Sequence, residues 1–252
     1  MNGLFSLEGK NIVVTGCATG IGQGMAMGLA KAGAHVLAFD IADMTQTKQM
    51  IEEIGGVCKT YQVDLSDSKQ IDDVFCRAVE ENEHIDALFN NAGMQHRESA
   101  FTYPEDVWDK IMAVNLKSAF LLSQKAANHF RGREYKGKII NTASLFSTFG
   151  GVNVPGYTCS KGGILALTRA LSNEFAPYGI CVNAIAPGYI ATELTKAIHS
   201  DPERRRPMDE RLPLGRWGTP QDFEGIAVFL ASAASDYITG TMIPVDGGYT
   251  AR

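Results

Sequence analysis

The feature that most constrains the fold is a repeated unit in which a short apolar run leads through a turn into a helical pattern. Residues 12–15 are apolar and β-branched, and a glycine-rich turn connects them to residues 21–31, where apolar side chains recur at helical spacing. Further strands are predicted at 36–39, 59–63, 86–89, 138–141, 181–185 and 241–245. Further helices are predicted at about 44–54, 68–82 (capped by Ser66 or Asp67), 104–130, 157–175 and 219–230. Most of these strands are too apolar to face water on either side, which predicts an α/β, doubly wound parallel sheet with helices on both faces.

The length of the chain fits one such domain. The sequence has 252 residues, of which 45% are hydrophobic, and this supports one large core. No repeat, low-complexity tract or linker divides it, so we predict a single domain over residues 1–252. Only the polar segment at about 191–213, called the lid segment below, interrupts the alternation. It leaves the sixth strand at the edge where α/β sheets bind ligands, and we predict a mobile lid over substrate, with a solvated surface helix as the alternative.

Charge and residue usage exclude several classes of partner. There are 23 Lys and Arg against 28 Asp and Glu, with no basic block, so neither nucleic acid nor an anionic membrane is an expected partner. No stretch approaches the ~18 apolar residues of a membrane span. The first six residues lack the basic and apolar regions of a signal peptide, so a cytoplasmic location is expected. The five cysteines form no close pair and the five histidines show no ligand spacing, which argues against disulfides and metal.

A glycine-rich turn, Thr-Gly-Cys-Ala-Thr-Gly-Ile-Gly at residues 15–22, joins the first strand to the first helix. Gly16 permits the tight turn, Gly20 lets the backbone approach a pyrophosphate, and Gly22 allows the helix to pack closely on the strand. The N-terminus of the helix then offers unpaired N–H groups to the phosphates. The turn therefore predicts a dinucleotide site.

An acidic residue closes the second predicted strand and bears on the choice of dinucleotide. Asp40 can accept hydrogen bonds from the adenosine ribose, whereas a 2′-phosphate beside it would be repelled by roughly 2–4 kcal/mol at an effective dielectric of ~20. Position 17 is Cys and position 41 is Ile, so neither supplies a compensating cation. NAD is therefore predicted, although Asp40 can also be read as a simple turn residue. Asp64, which closes the third strand, is a weaker candidate to receive the adenine amino group.

A tyrosine and a lysine four residues apart suggest proton transfer. Tyr157 and Lys161 project from the same face of the predicted helix, with Cys159 turned aside. Lowering the pKa of a phenol from ~10 to about 7 requires roughly 4 kcal/mol, and one positive charge about 4 Å away supplies that much. The pair is therefore predicted to exchange a proton near neutral pH. The alternative is a half-buried ring beside a lysine that reaches solvent.

These motifs occur in a characteristic order. The glycine turn, Asn-Asn-Ala-Gly at residues 90–93, Asn115, Ser144 and the Tyr157/Lys161 pair follow one another along the chain. In this order the sequence resembles the short-chain dehydrogenase/reductase family over essentially its whole length. The resemblance implies a Rossmann-type domain with a seven-stranded sheet and NAD as cofactor.

The resemblance also implies roles for individual residues. Tyr157 would be the general acid/base, Lys161 would lower its pKa and hold the nicotinamide ribose, and Ser144 would orient the substrate oxygen. Asn115 would hold, through its amide, a water that relays protons from Lys161. The implied cofactor-binding residues are Gly16, Thr19, Gly20, Ile21, Gly22, Asp40, Asp64, Leu65, Asn91, Ala92, Gly93, Tyr157, Lys161, Pro187, Gly188, Ile190 and Thr192. Relatives are commonly tetramers that pair through the long helices and the C-terminal strands, and residues 119–121 are either interface or core.

Within the family the chain is similar to a bacterial group, the 2-deoxy-D-gluconate 3-dehydrogenases, also described as 2-dehydro-3-deoxy-D-gluconate 5-dehydrogenases. Segments at 154–158, 186–189, 215–218 and 245–249 carry this likeness. It implies an NAD-dependent oxidoreductase acting on a hydroxyl or keto group of a deoxy-sugar acid in uronate breakdown. The carboxylate would need cationic or amide partners, and the candidates are Gln95, His96, Arg97 and Arg216, unless these are solvated loop residues.

Two other functions remain open. A 3-oxoacyl carrier-protein reductase shares the fold and motifs, but it would ordinarily use NADPH and a basic docking surface. Asp40, with no arginine beside it, disfavours this alternative. A regulator that binds cofactor without catalysis is the other possibility. The intact serine, tyrosine, lysine and asparagine disfavour it.

Overall fold

The architecture is one parallel sheet of seven strands in the order β3-β2-β1-β4-β5-β6-β7, and this confirms the predicted α/β, doubly wound Rossmann-type fold. The computed structural model describes residues 3–131 and 136–252, so residues 1–2 of the predicted leaderless start and residues 132–135 of the predicted domain lie outside it. The strands are β1 (Asn11–Thr15), β2 (His35–Asp40), β3 (Val57–Gln62), β4 (Ala87–Asn90), β5 (Lys138–Thr142), β6 (Cys181–Pro187) and β7 (Met242–Val245).

Helices connect successive strands. They are α1 (Gly20–Lys31), α2 (Thr45–Glu53), α3 (Ser68–Asn82), α4 (Glu105–Met112), α5 (Ser118–Phe130), α6 (Pro155–Phe175), α7 (Lys196–His199), α8 (Pro202–Asp209) and α9 (Glu224–Ala231). Short 3-10 turns lie at Leu145–Ser147, Ala176–Tyr178, Glu193–Thr195, Pro220–Phe223, Ala233–Ser235 and Tyr249–Ala251. Asp67, rather than Ser66, caps α3, because its carboxylate accepts from the backbone N–H groups of Lys69 and Gln70. In the described residues no helix is both long enough and apolar enough to span a membrane.

The helix predicted at 104–130 is interrupted by a π-helical turn. Residues Ala113–Lys117 separate α4 from α5, and the buried Asn115 lies within this turn. A π turn inserts extra backbone into a helix without requiring a helix-breaking residue. The sequence prediction missed it because residues 113–117 contain neither glycine nor proline.

The two faces of the sheet are covered by separate layers of apolar side chains. Ile12 and Val14 of β1 pack in a cluster with Met25 and Leu29 of α1. Val13, which points to the opposite face, belongs to a second cluster that includes side chains of α3 and α5. Both faces are therefore buried, as the apolar strand sequences predicted.

Two glycines allow α1 to pack directly against the backbone that precedes β7. A Cβ on Gly24 would lie 2.1 Å from the carbonyl oxygen of Pro220, and one on Gly28 would lie 2.6 Å from Cα of Glu224. Either distance is too short for a real contact, so the packing of α1 against the Pro220–Glu224 backbone requires glycine at both positions. The start of α1, which carries the glycine turn, is thereby held against the body of the domain.

The lid segment is packed onto the domain. Ile198 and Leu212 are buried in a small cluster with Trp217, which Tyr189 and Tyr249 border. The α8 helix, by contrast, buries none of its residues. One side of α8 still contacts the domain, since Met208 packs against this cluster and Asp209 accepts a hydrogen bond from the Trp217 indole at 2.8 Å.

The α1 contact yields a stability prediction. Gly28→Ala should lower the free energy of unfolding by about 1–3 kcal/mol, because the added methyl group must displace the Glu224 backbone. Gly225→Ala is the matched control, since a Cβ there meets nothing within 4 Å, and it should leave stability unchanged or raise it by up to ~1 kcal/mol. Urea denaturation measures both, and equal stabilities for the two variants would show that the close approach is unimportant.

Candidate active site

A cleft of about 500 Å³ lies beyond the carboxyl ends of the strands. Every residue predicted to bind the cofactor lines it, together with Ser144, Gln95 and Arg97. Asn115, His96 and Arg216 are not among its lining residues. The cleft is thus the place where most of the sequence-predicted site residues meet.

The glycine turn forms one end of the cleft. Gly16 and Gly20 have φ of +66° and +62°, so both adopt the left-handed conformation that favours glycine. A Cβ on Gly16 would lie 2.7 Å from Cα of Ala92, which shows how closely the turn approaches the segment after β4. Thr19, at the N-cap of α1, makes no side-chain capping hydrogen bond. The turn therefore leaves space and unpaired helix N–H groups suited to a pyrophosphate.

Hydrogen bonds tie the ends of three strands together beneath this turn. The Thr15 hydroxyl accepts from the backbone N–H groups of Asn91 and Ala92, each at 2.9 Å. The Asn91 amide donates to the carbonyl oxygens of Thr15 and Gly16 at 3.0 and 3.1 Å. Its Oδ1 accepts from the Thr142 hydroxyl at 3.2 Å. The segments after β1, β4 and β5 are thereby fixed relative to one another.

Asp40 braces the turn as well as facing the cleft. One carboxylate oxygen accepts from the Ala18 N–H and the other from the Ala42 N–H, both at 2.9 Å. Asp40 therefore stabilises the turn and also lines the cleft. Burial, and secondarily the charge of Asp40, raises the pKa of the Cys17 thiol, which stays protonated inside the turn. Asp64 also lines the cleft, and its Oδ1 accepts from the backbone and hydroxyl of Ser66.

The tyrosine, serine and lysine meet at the other end of the cleft. Ser144 lies close enough to the Tyr157 hydroxyl to lower its pKa, and the Tyr157 ring packs edge-on against Phe146 at 6.2 Å between centroids. Lys161 is buried, its Nζ donates to the carbonyl oxygen of Thr142 at 2.6 Å, and it lies 5.6 Å from the centroid of the Tyr157 ring. The arrangement places a neutral phenol, a hydroxyl and a buried amine around one point.

The electrostatics of this group differ from the sequence prediction. Burial raises the pKa of Tyr157, and the hydrogen bond from Ser144 only partly counteracts this. Burial also lowers the pKa of Lys161 to about 8. The expectation that Lys161 alone brings the Tyr157 pKa to about 7 is therefore wrong for this geometry. The sequence prediction neglected desolvation, which penalises both the Tyr157 phenolate and the Lys161 ammonium. It also could not include the Thr142 carbonyl, to which the Lys161 ammonium donates a hydrogen bond.

Asn115 lies behind the cleft wall. Its Oδ1 accepts from the Met94 N–H at 2.8 Å, and its Nδ2 donates to the Met94 carbonyl at 2.9 Å and to Ser160 Oγ at 3.1 Å. Both N–H groups of the amide are thus used by the protein, while Oδ1 keeps one acceptor site, so the expectation that the amide holds a water stays a prediction. A Cβ on Gly93 would lie 3.4 Å from Asn115 Oδ1 and 3.6 Å from Lys161 Nζ, so the asparagine still lies close to the lysine.

The four residues predicted to bind the substrate carboxylate separate into two pairs. Gln95 and Arg97 line the cleft, and no Asp or Glu in the described part of the chain pairs with Arg97. His96 instead pairs with Glu98 at 3.1 Å. Arg216 forms a two-pronged ion pair with Asp222, at 2.8 and 2.7 Å, and holds the pKa of that carboxyl well below its usual range. The structure therefore does not bring His96 or Arg216 into the cleft, because each is taken by a neighbouring carboxylate.

The sequence analysis missed several residues that line the cleft. They are Ile41, Val63, Met94, Lys110, Val114, Thr142, Ala143, Phe146, Tyr189, Glu193, Leu194, Thr195 and Ile198. Tyr189 stands between two predicted residues, Gly188 and Ile190, and this adjacency was a usable signal. Lys110 and Val114 lie one helical turn apart, but only the fold shows that this face meets the cleft. Among residues 3–131 and 136–252 no group of His, Cys, Asp and Glu could hold a metal ion.

Comparison with known proteins adds the family context. Residues 16–250 match the family model adh_short_C2, described as Enoyl-(Acyl carrier protein) reductase. The chain is 49% identical to 2-dehydro-3-deoxy-D-gluconate 5-dehydrogenase of Escherichia coli (strain K12), over 98% of both chains. It is 41% identical to 5-keto-D-gluconate 5-reductase of the same organism, also over 98% of both.

Solved structures show the same likeness. A putative 2-deoxy-D-gluconate 3-dehydrogenase from Agrobacterium tumefaciens with bound NADP is 42% identical, covers 100% of both chains and has a TM-score of 0.93. A gluconate 5-dehydrogenase from Burkholderia cenocepacia J2315 in complex with NADP and tartrate is 35% identical, with a TM-score of 0.94 over 99% of this chain and 98% of that one. The fold therefore recurs in proteins named for sugar-acid chemistry.

The burial of Lys161 predicts a pH-dependent stability. Its pKa of about 8 in the folded chain lies below the ordinary 10.5, so the unfolded chain binds more protons between these values and stability rises with pH there. In urea denaturation of the cofactor-free protein, Lys161 should contribute a gain of about 2 kcal/mol between pH 8 and pH 10. Lys161→Met should lose this gain, and an unchanged pH slope in the variant would contradict the assignment. Tyr157, whose pKa is raised, affects stability only above about pH 10, where its ionisation favours the unfolded chain.

Proposed function

Since the chain belongs to the short-chain dehydrogenase/reductase family, we propose that it is an NAD(H)-dependent oxidoreductase that interconverts a hydroxyl and a keto group on a deoxy-sugar acid. The observation that carries the proposal is the meeting of Ser144, Tyr157 and Lys161 with the cation Arg97 in the cleft that begins at the glycine turn. Within residues 3–131 and 136–252, Arg97 forms no ion pair with Asp or Glu. The names of the relatives support a sugar acid as the substrate class. Uronate breakdown is the pathway class in which such an acid arises.

The cleft fits a nicotinamide dinucleotide. The left-handed Gly16 and Gly20, with the uncapped start of α1, would hold the pyrophosphate. The residues after β3 and β4 that line the cleft, Asp64, Leu65 and 91–93, would receive the adenosine part. Pro187, Gly188, Ile190 and Thr192, at and beyond the end of β6, would face the nicotinamide, which supplies or accepts the hydride when bound.

The side chains of the protein would handle the proton. In reduction, the Tyr157 hydroxyl donates its proton to the carbonyl oxygen of the substrate, and in oxidation the phenolate takes the proton back. Ser144, which lies beside the Tyr157 hydroxyl, orients the same substrate oxygen. The Lys161 ammonium, next to the Tyr157 ring, stabilises the phenolate and would hold the nicotinamide ribose.

Asn115 can take part in a relay of protons to Lys161 through a water on the acceptor site that remains on its Oδ1, which accepts one hydrogen bond in the structure. The side-chain amide is held on both sides by Met94 and by Ser160. We therefore assign the side chain to holding the loop after β4, which carries Gln95 and Arg97, in place. In this account Gln95 and Arg97 bind the carboxylate of the substrate, because one offers an amide and the other an uncompensated guanidinium.

The proposed cofactor is NAD rather than NADP. The Asp40 carboxylate faces the cleft, and its neighbours in the chain and turn are the buried Cys17 and the exposed Ile41. A 2′-phosphate in this position would meet negative charge without a neighbouring cation. Since relatives of known structure contain NADP, this preference depends on the residues around Asp40 and is separate from the chemistry.

The proposed assembly is a cytoplasmic homotetramer that pairs through the long helices. A groove on α4, α5 and α6 is lined by Met112, Leu116, Phe120 and Leu167, and Phe120 is 39% exposed. Ala119, by contrast, is buried in the core and Leu121 packs against it. Of the three residues at 119–121, only Phe120 is therefore available for pairing. The lid segment, whose residues 192–195 and 198 line the cleft, is proposed to close over substrate.

A substrate panel tests the function. With NADH, the wild-type enzyme should reduce keto-deoxy-aldonates and, in the reverse direction with NAD, oxidise the matching aldonates, while β-ketoacyl thioesters should react poorly. Tyr157→Phe should reduce turnover by several orders of magnitude, because it removes the proton donor, while NADH binding followed by fluorescence remains. Turnover confined to the thioesters would favour the carrier-protein reductase instead. Substantial activity of Tyr157→Phe would refute the proton-transfer role.

Asp40 predicts the cofactor preference. The kcat/KM for NADH should exceed that for NADPH by roughly 10- to 1,000-fold, because Asp40 repels the extra phosphate. Asp40→Asn should narrow this ratio, whereas Asp64→Asn, a carboxylate after the neighbouring strand, should leave it largely unchanged. A wild-type preference for NADPH would overturn the assignment.

A further inference from the structure

A tyrosine with no role in the function proposed above lies on the wall of the cleft. Tyr189 is the second residue after β6 and lines the same cleft as Arg97 and Ser144. Two backbone hydrogen bonds fix this part of the chain. The Tyr189 carbonyl accepts from the Gly218 N–H at 2.9 Å, and the Ala191 N–H donates to the Gly218 carbonyl. Its ring packs against Trp217 at 5.1 Å and Tyr249 at 5.2 Å between centroids. This side chain is therefore held rigidly at the surface that substrate would touch.

Behind Tyr189 lies a second arginine. The guanidinium of Arg211, at the end of the lid segment, stacks on the Tyr249 ring at 4.4 Å and reaches the Phe149 ring at 5.6 Å. Its Nη2 donates to the backbone oxygen of Arg252 at 3.0 Å. In the described part of the chain no Asp or Glu side chain pairs with Arg211. Arg211 thus joins the loop after β5, the C-terminal turn and the lid segment, and it retains its charge.

The Tyr189 hydroxyl lies within the electrostatic influence of both arginines. Burial and the Tyr249 hydroxyl raise the pKa of Tyr189 to about 12, while the charges of Arg97 and Arg211 act in the opposite direction. The phenol accordingly remains protonated at neutral pH and can donate. A protonated hydroxyl that feels the positive charge of two arginines is suited to an anion, since hydrogen bonds to charged acceptors are stronger than neutral ones.

We propose that Tyr189 is a specificity-determining residue whose hydroxyl, together with Arg97, binds the carboxylate of the substrate, and that Arg211 and Tyr249 are positioning residues that hold it there. The inference rests on the proposed function, because it specifies how the same cleft recognises the acid group. The proposal also gives both ends of the lid segment a place in the cleft. Thr192 lies beside Gly20 of the glycine turn, and Arg211, near the other end, lies over the Tyr249 ring beside the proposed carboxylate site.

The test compares a substrate with its uncharged counterpart. A keto-deoxy-aldonate and its methyl ester differ in the charge at one end only. Tyr189→Phe should raise KM for the acid by roughly 10- to 100-fold, the loss expected for a hydrogen bond to a charged group. It should leave kcat for the acid, KM for the ester and the Kd for NADH nearly unchanged. Tyr237→Phe, which removes the hydroxyl of a fully exposed tyrosine, is the matched control.

The positioning role has its own variants. Arg211→Met should produce a smaller rise in KM for the acid and leave the ester unaffected, while Arg211→Lys, which keeps the charge over the ring, should restore most of the affinity. Arg204→Met, on the exposed α8 helix, is the control for removing a surface arginine.

Each outcome bears on a different statement. If the wild-type enzyme treats acid and ester alike, the sugar-acid part of the proposed function fails, and this inference fails with it. If the wild type prefers the acid and Tyr189→Phe keeps the full preference, the proposed function stands and the inference is overturned. Equal losses for acid and ester in Tyr189→Phe would also overturn it, because they would show a purely structural role.

Discussion

The site depends on the hydrogen bonds that lock the carboxyl ends of β1, β4 and β5 together. The Thr15 hydroxyl receives two backbone N–H groups from the segment after β4, and the Asn91 amide returns two bonds to the glycine turn. Through Thr142 the same asparagine reaches β5, whose last carbonyl accepts from Lys161. The cofactor turn and the proton-transfer group are therefore parts of one hydrogen-bonded unit, and displacement of either would cost several buried hydrogen bonds.

Burial gives this unit its chemical character. Burial keeps Tyr157 as the neutral phenol, and it lowers the pKa of Lys161 to about 8, so the ammonium persists at neutral pH but loses its proton more easily. A phenol in this state is ready to give a proton to a carbonyl, and a lysine of lowered pKa can exchange protons near neutral pH. The cost of removing both groups from water is borne by the surrounding fold, in keeping with the tendency of perturbed pKa values to cluster at functional sites.

The outer half of the cleft is built differently, from aromatic rings and arginines contributed by distant parts of the chain. Tyr189, Trp217 and Tyr249 pack together, and Arg211 lies over the last of them. These contacts connect the lid segment to the C-terminal turn. The inner half thus resembles a rigid backbone scaffold, while the outer half consists of side chains on segments that vary readily without changing the fold.

Local patterns in the sequence were sufficient for the fold and for most of the site. Strand and helix positions follow from apolar periodicity, the glycine turn follows from its place between β1 and α1, and the carboxyl ends of parallel strands must meet at one edge. Tyr157 and Lys161 share a helical face by spacing alone. Tertiary structure decided what spacing cannot express: the π turn at 113–117, the capture of the Asn115 amide by Met94, and the pairing of Arg216 with Asp222. It also decided the pKa values and the meeting of Tyr189 with Tyr249 and Arg211, because desolvation and contacts between residues far apart in the chain exist only once the chain has folded.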